Sequence, residues 1–324
     1  MEINWFPGHM AKTLRQMKDH LRQVDLVIET CDARIPESSR NPELSKLIGS
    51  KPRILVLNKA DLADPAATQA WSAYYNRHGI SVIACDSTKR QGPEKIRDTA
   101  LEMMKDKIEK AKSRGRLYQP VRAMVAGIPN TGKSTLINTL ARRKIAAAQD
   151  RPGVTRSAAW IRSAGQLELL DTPGVLWPKL GDRESQVALA ATGAIRDVIL
   201  DLTDVASHTL ALLNRHYPVL LTERYGIGAA DISDDETMMT IGNAEAAAGY
   251  QLLMAAARKR GCLLSGGRVD TERFAVLFLD ELRGGKIGRI TLEWPPDDIR
   301  QSDAKRQPEK DSEETSDEPE TTDQ

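Results

Sequence analysis

The sequence predicts an α/β fold with a parallel-rich sheet, followed by a small all-α domain and a disordered acidic tail. Three observations carry this. Short apolar runs, often β-branched, alternate with longer stretches of helical spacing through the first half. From about residue 180 to 282 the pattern turns helical and offers no convincing buried strand. From about 297 onward the chain is Asp, Glu, Ser, Thr, Gln and Pro with almost nothing apolar.

The predicted strands come in order. VDLVIET (24–30), RILVL (53–57), SVIAC (81–85) and VRAMVAG (121–127) are short and apolar. Helical spacing fills 9–22, 66–77 and 93–112 between them. SAAWIRS (157–163) and QLELLD (166–171) flank Ala164-Gly165 and read as a hairpin. The expected division is a first domain over 1–178, a helical domain over 179–296 and the tail over 297–324.

The 324 residues are 40% hydrophobic and 28% charged, enough for a real core in about two domains. Cys31, Cys85 and Cys262 lie far apart, without metal-like pairing, and read as free thiols. The start, MEINWFPGHM, has no apolar run of signal-peptide length, and nothing downstream approaches a membrane span. A cytoplasmic protein with no membrane partner is expected. The net charge of +1 hides an asymmetry: residues 1–180 carry 30 Lys+Arg against 18 Asp+Glu, while 297–324 carry 4 against 11. A basic first half suits a polyanionic partner, or is a solvated basic surface.

Residues 127–134, GIPNTGKS, fit the phosphate-loop pattern between a predicted strand and a predicted helix. Backbone N–H groups there converge on a helix N-terminus, which favours phosphate. Asn130, Thr131, Gly132, Lys133, Ser134 and Thr135 form the expected phosphate site. Lys133 is expected on the β- and γ-phosphates and Ser134 on Mg²⁺. LELLDTPG (167–174) places Asp171 at a strand end as a second Mg²⁺ residue, with Gly174 positioned to sense the γ-phosphate. Thr155, in RPGVTR (151–156), is the candidate switch hydroxyl for the same Mg²⁺.

ILVLNKAD (54–61) places Asn58, Lys59 and Asp61 directly after a strand. A carboxylate at Asp61 can accept from the guanine N1–H and its exocyclic amine, and adenine lacks that pair. Asn58 is expected to brace neighbouring loops, and the Lys59 stem to cover the base. Asp86 and Ser87, after SVIAC, suit a second base loop. All parts of a GTP/GDP site are therefore present in the order base loop, second base loop, phosphate loop, Thr switch, DTPG. That is a circularly permuted P-loop GTPase domain, with the chain ends moved and the sheet retained.

NWFPGHMAKT, DARIP (32–36), NKAD, GIPNTGKST, PGVTR and DTPGVLWP together resemble the YlqF/RbgA-type ribosome biogenesis GTPases. The resemblance covers about residues 1–295, including GCLLSGGRVD (261–270) and GRITLE (288–293). It implies a GTP-hydrolysing factor that binds the large ribosomal subunit precursor and its rRNA through a helical domain. A monomer, slow alone and stimulated by the particle, is expected. The alternative is a GTP-dependent regulatory module acting on another RNA particle or a protein partner.

Several residues keep two readings. Val175 stands where many small GTPases place a water-orienting Gln, so another group must act. His9 is the catalytic candidate that positions water, or else an ordinary helix-start residue. Asn130 resembles the Asn of potassium-activated GTPases and either helps hold K⁺ or steadies a turn. Asp32 and Arg34 of DARIP read as an ion pair or a secondary site. Arg258, Lys259, Arg260 and Arg268 cluster as an RNA-binding candidate or as a solvated helix end. The same choice applies to KDKIEKAKSRGR (105–116), with six basic and two acidic residues.

Overall fold

The computed structural model describes residues 15–116, 119–142, 159–163, 166–177, 180–232 and 244–296. His9, Thr155, the 164–165 hairpin tip and the tail from 297 lie outside them. Six strands form one sheet: β1 (Leu26–Asp32), β2 (Arg53–Asn58), β3 (Ser81–Cys85), β4 (Val121–Gly127), β5 (Ala159–Arg162) and β6 (Leu167–Asp171). Their order is β3-β2-β1-β4-β6-β5. Every neighbouring pair is parallel except β5 with β6, where Ile161 faces Leu169. The hairpin expectation holds as antiparallel pairing.

β1 is LVIETCD, and all seven residues are buried, as befits a central strand covered on both faces. It runs two residues later than the apolar run suggests. Cys31 and Asp32 pair with Leu57 and Asn58, whereas Val24 precedes the strand in the core. A buried Asp ends the strand because its charge finds partners there, described below.

Residues 15–21 are helical (α1). α2 (Pro42–Ile48), which hydrophobic spacing did not reveal, has strong local signals. Asn41 caps it by accepting from the Glu43 and Leu44 N–H groups, and Pro42 opens it. α3 (Pro65–Arg77) is capped by Asp64 in the same way. The expected helix over 93–112 is two, α4 (Gln91–Met103) and α5 (Lys105–Ser113), broken at Met104. α6 (Lys133–Ala141) follows the phosphate loop.

The remaining helices are α7 (Arg183–Ala191), α8 (Leu202–His216), α9 (Pro218–Tyr225), α10 (Ala244–Lys259) and α11 (Thr271–Arg283). Among the described residues beyond 180 there is no strand, only an isolated bridge between Leu263 and Val269. α8 and α10 cross closely: a Cβ on Gly249 would lie 2.1 Å from the Ser207 carbonyl.

The period-two alternation of β1 splits the core. Leu26 and Ile28 face Ile96 of α4 and Leu136 of α6. Val27 belongs to the opposite face, with Met17 of α1, Leu44 of α2 and the helical half's Leu210, Leu252, Phe274 and Phe278. The helical half thus shares a core with the sheet. Residues 286–294 then return to the first half. The Ile290 N–H donates to the Leu62 carbonyl (3.0 Å), and the Leu292 N–H to that of Arg34 (2.8 Å).

The chain winds from β1 toward β2 and β3 on one side, and from β4 toward β6 and β5 on the other. The winding therefore changes direction between β1 and β4. Loops leaving the carboxyl ends of parallel strands open a crevice at such a switch point. DARIP, NKAD, the loop after β3, the phosphate loop and DTPG all start at that edge.

Candidate functional site

The phosphate loop is held by its neighbours rather than by its own sequence alone. Gly132 has φ +84, and a Cβ there would lie 2.2 Å from Asn58 Nδ2. Gly127 is similarly pressed against the Thr30 carbonyl of β1. The Thr30 and Thr131 hydroxyls share a hydrogen bond of 2.8 Å. Lys133 is buried, and its Nζ donates to the Ile128 carbonyl at 2.6 Å. Burial pushes its ammonium pKa down to about 8, against the pull of Asp171. Ser134 and Thr135 sit in the first turn of α6.

Asn58 joins three loops. Its Nδ2 donates to the Thr131 carbonyl (2.7 Å), and its Oδ1 accepts from the Ser87 hydroxyl (2.6 Å) and N–H (3.2 Å). This is the bracing role expected of it, and it brings the base loop beside the phosphate loop. Asp61 is exposed at the mouth. Asp86 accepts from the Thr88 N–H and hydroxyl within its own turn.

Lys59 sits at φ 57, and its ammonium lies 3.1 Å from Asp32. The stem expected to cover a base is therefore anchored at its far end. Asp32 in turn takes a two-pronged contact from Arg34, Nε to Oδ1 at 2.9 Å and Nη2 to Oδ2 at 2.8 Å. Burial opposes the Asp32 charge, but Arg34 and Lys59 together hold its carboxyl well below the usual carboxylate range. Arg34 Nη1 also donates to the Leu282 and Arg283 carbonyls at the end of α11, both at 3.4 Å. DARIP thus forms a buried ion pair that touches the base loop and the helical half.

Sequence reasoning missed two of these roles. Asp32 as the anchor of Lys59 had a signal in DARIP. Arg289, in GRITLE, donates to the Ala60 (2.8 Å) and Ala63 (2.9 Å) carbonyls and clamps the base loop.

Asp171 ends β6 and is buried, and its Oδ1 has no hydrogen-bond partner among the described residues. Burial raises its pKa, opposed by Lys133. An orphaned buried carboxylate oxygen, with a serine hydroxyl at the start of α6, supplies the hard oxygen donors Mg²⁺ takes. The fit to a divalent ion is good. Gly174 lies flat on the phosphate loop: a Cβ would be 2.8 Å from both Lys133 Nζ and the Pro129 nitrogen. Asn41 fixes the following residue by donating to the Val175 carbonyl at 3.0 Å.

Asn130, at φ 63, directs its amide to the Thr192 (3.5 Å) and Gly193 (3.3 Å) carbonyls, at the end of α7. The structure thus engages this side chain with the helical half. The four helical-half cations also divide. Lys259 donates to Asp231 (3.0 Å) and to the Gly226 carbonyl, while Arg260 donates to Glu281 at 3.1 Å and lies over the Tyr225 ring. Arg258 and Arg268 are exposed. All four residues are exposed, and two of them also pair with carboxylates of the helical half.

A sequence profile for a family described as "50S ribosome-binding GTPase" matches residues 122–224. The match begins at β4 and leaves Asn58, Lys59 and Asp61 ahead of it, as a moved base loop requires. The chain is 45% identical over 296 residues to ribosome biogenesis GTPase A of Priestia megaterium, covering 91% of this chain and 98% of that one. Mitochondrial ribosome-associated GTPase 1 of Mus musculus is 34% identical over 303 residues, 89% of each chain. The crystal structure of GNP-bound YlqF from T. maritima superposes with a TM-score of 0.57 at 26% identity, over 89% of this chain and all of that one. A GDP-bound YlqF structure gives 0.55 at 28% identity, over 87% of this chain and 100% of that one. With its base loop ahead of its phosphate loop and relatives matched along nearly their full length, the chain belongs to the ribosome biogenesis GTPase A family, as a circularly permuted GTPase of ribosome assembly.

Proposed function

We propose that this chain hydrolyses GTP while bound to the precursor of the large ribosomal subunit, and that it promotes a late step of that particle's maturation. The observation that carries the reading is Asn58, one side chain bonded to Thr131 and to Ser87. It supports a single pocket in which Asp61 reads guanine while Lys133 and the loop N–H groups hold the phosphates. Ser134 and Asp171, with Thr155, would hold Mg²⁺, which supplies charge neutralisation on the phosphate oxygens when bound. Val175 is apolar and cannot orient water, so His9 takes that role on the particle. A potassium role for Asn130 would fall to its Oδ1, since Nδ2 donates to the Thr192 and Gly193 carbonyls. Turnover in KCl against NaCl decides it.

The proposed division of labour is a GTPase domain over 1–178 and an RNA-binding domain over 179–296, within a monomer. A ribosomal partner supports a cytoplasmic site of action. The test is turnover with purified large or small subunits. Stimulation by large subunits, abolished in His9→Ala with GTP binding intact, is expected. Equal response to both subunits, or none, overturns the reading.

A further inference from the structure

The basic stretch 105–116 is not used by the site above, and the fold connects it to an unusual surface. Lys110, Lys112, Arg114 and Arg116 are exposed at the end of α5. Lys107 pairs with Asp25, whose other oxygen accepts the Arg122 N–H at 2.9 Å. Between them lies a depression of about 300 Å³ lined by Gln23, Asp25, Lys107, Arg116, Gln119 and Arg122. The Arg122 guanidinium then lies 5.0 Å from the centroid of the Trp160 ring on β5. Trp160 is 43% exposed, on a strand with one sheet neighbour among the described residues. Arg162, two residues on, is 81% exposed.

A helix end rich in cations has a simple explanation in the helix dipole. That accounts for Lys110 and Lys112. It does not account for an uncovered indole, nor for the contiguity of that indole with the cations through Arg122. Over this surface eight Lys and Arg from Lys105 to Arg162 face five carboxylates: Glu102 pairs with Lys105, Asp25 with Lys107, and Glu168 with both Arg122 and Arg162, while Asp106 and Glu109 lie on α5. The excess positive charge selects a polyanion, and the indole selects one with flat bases to stack.

We propose that this surface, running from α5 across the amino-terminal ends of β1 and β4 to Trp160 on β5, binds single-stranded RNA. Phosphates lie along Lys110, Lys112, Arg114 and Arg116, and a base stacks on Trp160. Arg122 holds the indole face from the protein side. The phosphate loop leaves the other end of β4, about 16 Å along the strand from Arg122 at about 3.3 Å per residue, and Trp160, in register with Leu170, is set aside from β4 by the width of β6. RNA seated here therefore leaves the nucleotide mouth open and adds a grip separate from the helical half. The proposal rests on the partner being an RNA particle.

The test measures binding of the full chain to a labelled 12-nucleotide oligouridine and to an abasic strand of equal length, across a salt series. Trp160→Ala should weaken oligouridine about tenfold and leave the abasic strand nearly unchanged, since only the former offers bases to stack. Trp160→Phe should restore most of the loss. The triple change Lys110→Glu, Lys112→Glu and Arg114→Glu should weaken both strands and reduce the salt slope by about two. Basal GTP turnover should stay unchanged in all variants. Wild-type affinity in the triple variant, or Trp160→Phe no better than Trp160→Ala, overturns the proposal. Stimulation by large subunits is assayed in parallel. Its absence in the wild type overturns the functional reading, whereas unaltered oligouridine binding in the variants overturns this surface alone.

Discussion

Lys133 is charged at a cost in the free protein. Burial brings its pKa to about 8, below the ordinary 10.5. The folded free protein therefore loses this proton before the unfolded chain does. Its contribution to stability is unfavourable below pH 8 and is relieved between about 8 and 10.5. Phosphates reverse the shift by favouring the ammonium. Affinity for GDP should thus fall as pH rises through 8, approaching tenfold per unit, with about one proton taken up on binding at pH 9. Calorimetry in two buffers of different ionisation enthalpy measures that proton, and zero uptake would remove Lys133 from phosphate contact. Asp61 carries a separate expectation. Asp61→Asn exchanges one acceptor for a donor, which suits xanthine, with an oxygen at C2, better than guanine. The ratio of GTP to xanthosine triphosphate affinity should drop by at least about a hundredfold. A ratio that stays put would separate Asp61 from the base.

At the scale of elements, the DARIP loop and the returning segment 286–294 hold the two halves together. Arg34→Ala would leave Asp32 buried with Lys59 as its remaining cation, and a broken buried pair costs about 3–5 kcal/mol. A thermal melt should show the loss. Glu293 accepts from the Glu37 (2.8 Å) and Ser38 N–H groups, and the Trp71 indole donates to its carbonyl. Its carboxyl is enclosed though the residue keeps some surface, and burial pushes its pKa up to about 7. A raised carboxyl pKa gives stability that is complete below the unfolded value and is lost as pH climbs through 7. Glu293→Gln should flatten that decline in melts between pH 4.5 and 7.5. The strands were legible in advance because buried parallel strands are written as continuous apolar runs. The phosphate and base loops were legible because their chemistry demands fixed residues at fixed spacing. The anchor of Lys59 showed only as the DARIP motif, since Asp32 ends the neighbouring strand β1 and no periodicity links the two. The partners of Lys259 and Arg260 were hidden for the same reason: their carboxylates, Asp231 and Glu281, lie 28 and 21 residues away.

Across the whole molecule, the phosphate loop and the base loop are tied to one corner of the helical half. Asn130 reaches the carbonyls after α7. Arg283, at the end of α11, donates to the Ala190 (2.9 Å) and Ala191 (3.1 Å) carbonyls of α7 and pairs with Asp197. Arg34 holds the end of α11 from the opposite side, and through Asp32 reaches Lys59. A nucleotide that draws Asn130 or Lys59 toward itself must work against this corner, and a particle that shifts the corner must change nucleotide affinity by the same factor. Arg283 touches neither candidate loop, so it tests the coupling without altering the pocket. In Arg283→Ala, GTP affinity of the isolated chain should stay within about twofold, since lost contacts outside the pocket act mainly through stability. The difference in large-subunit affinity between a non-hydrolysable GTP analogue and GDP should shrink roughly fivefold, about 1 kcal/mol of coupling. Sedimentation with large subunits under each nucleotide measures it. A full difference surviving the substitution would place the coupling elsewhere, and then the contact between Asn130 and the end of α7 becomes the route to cut.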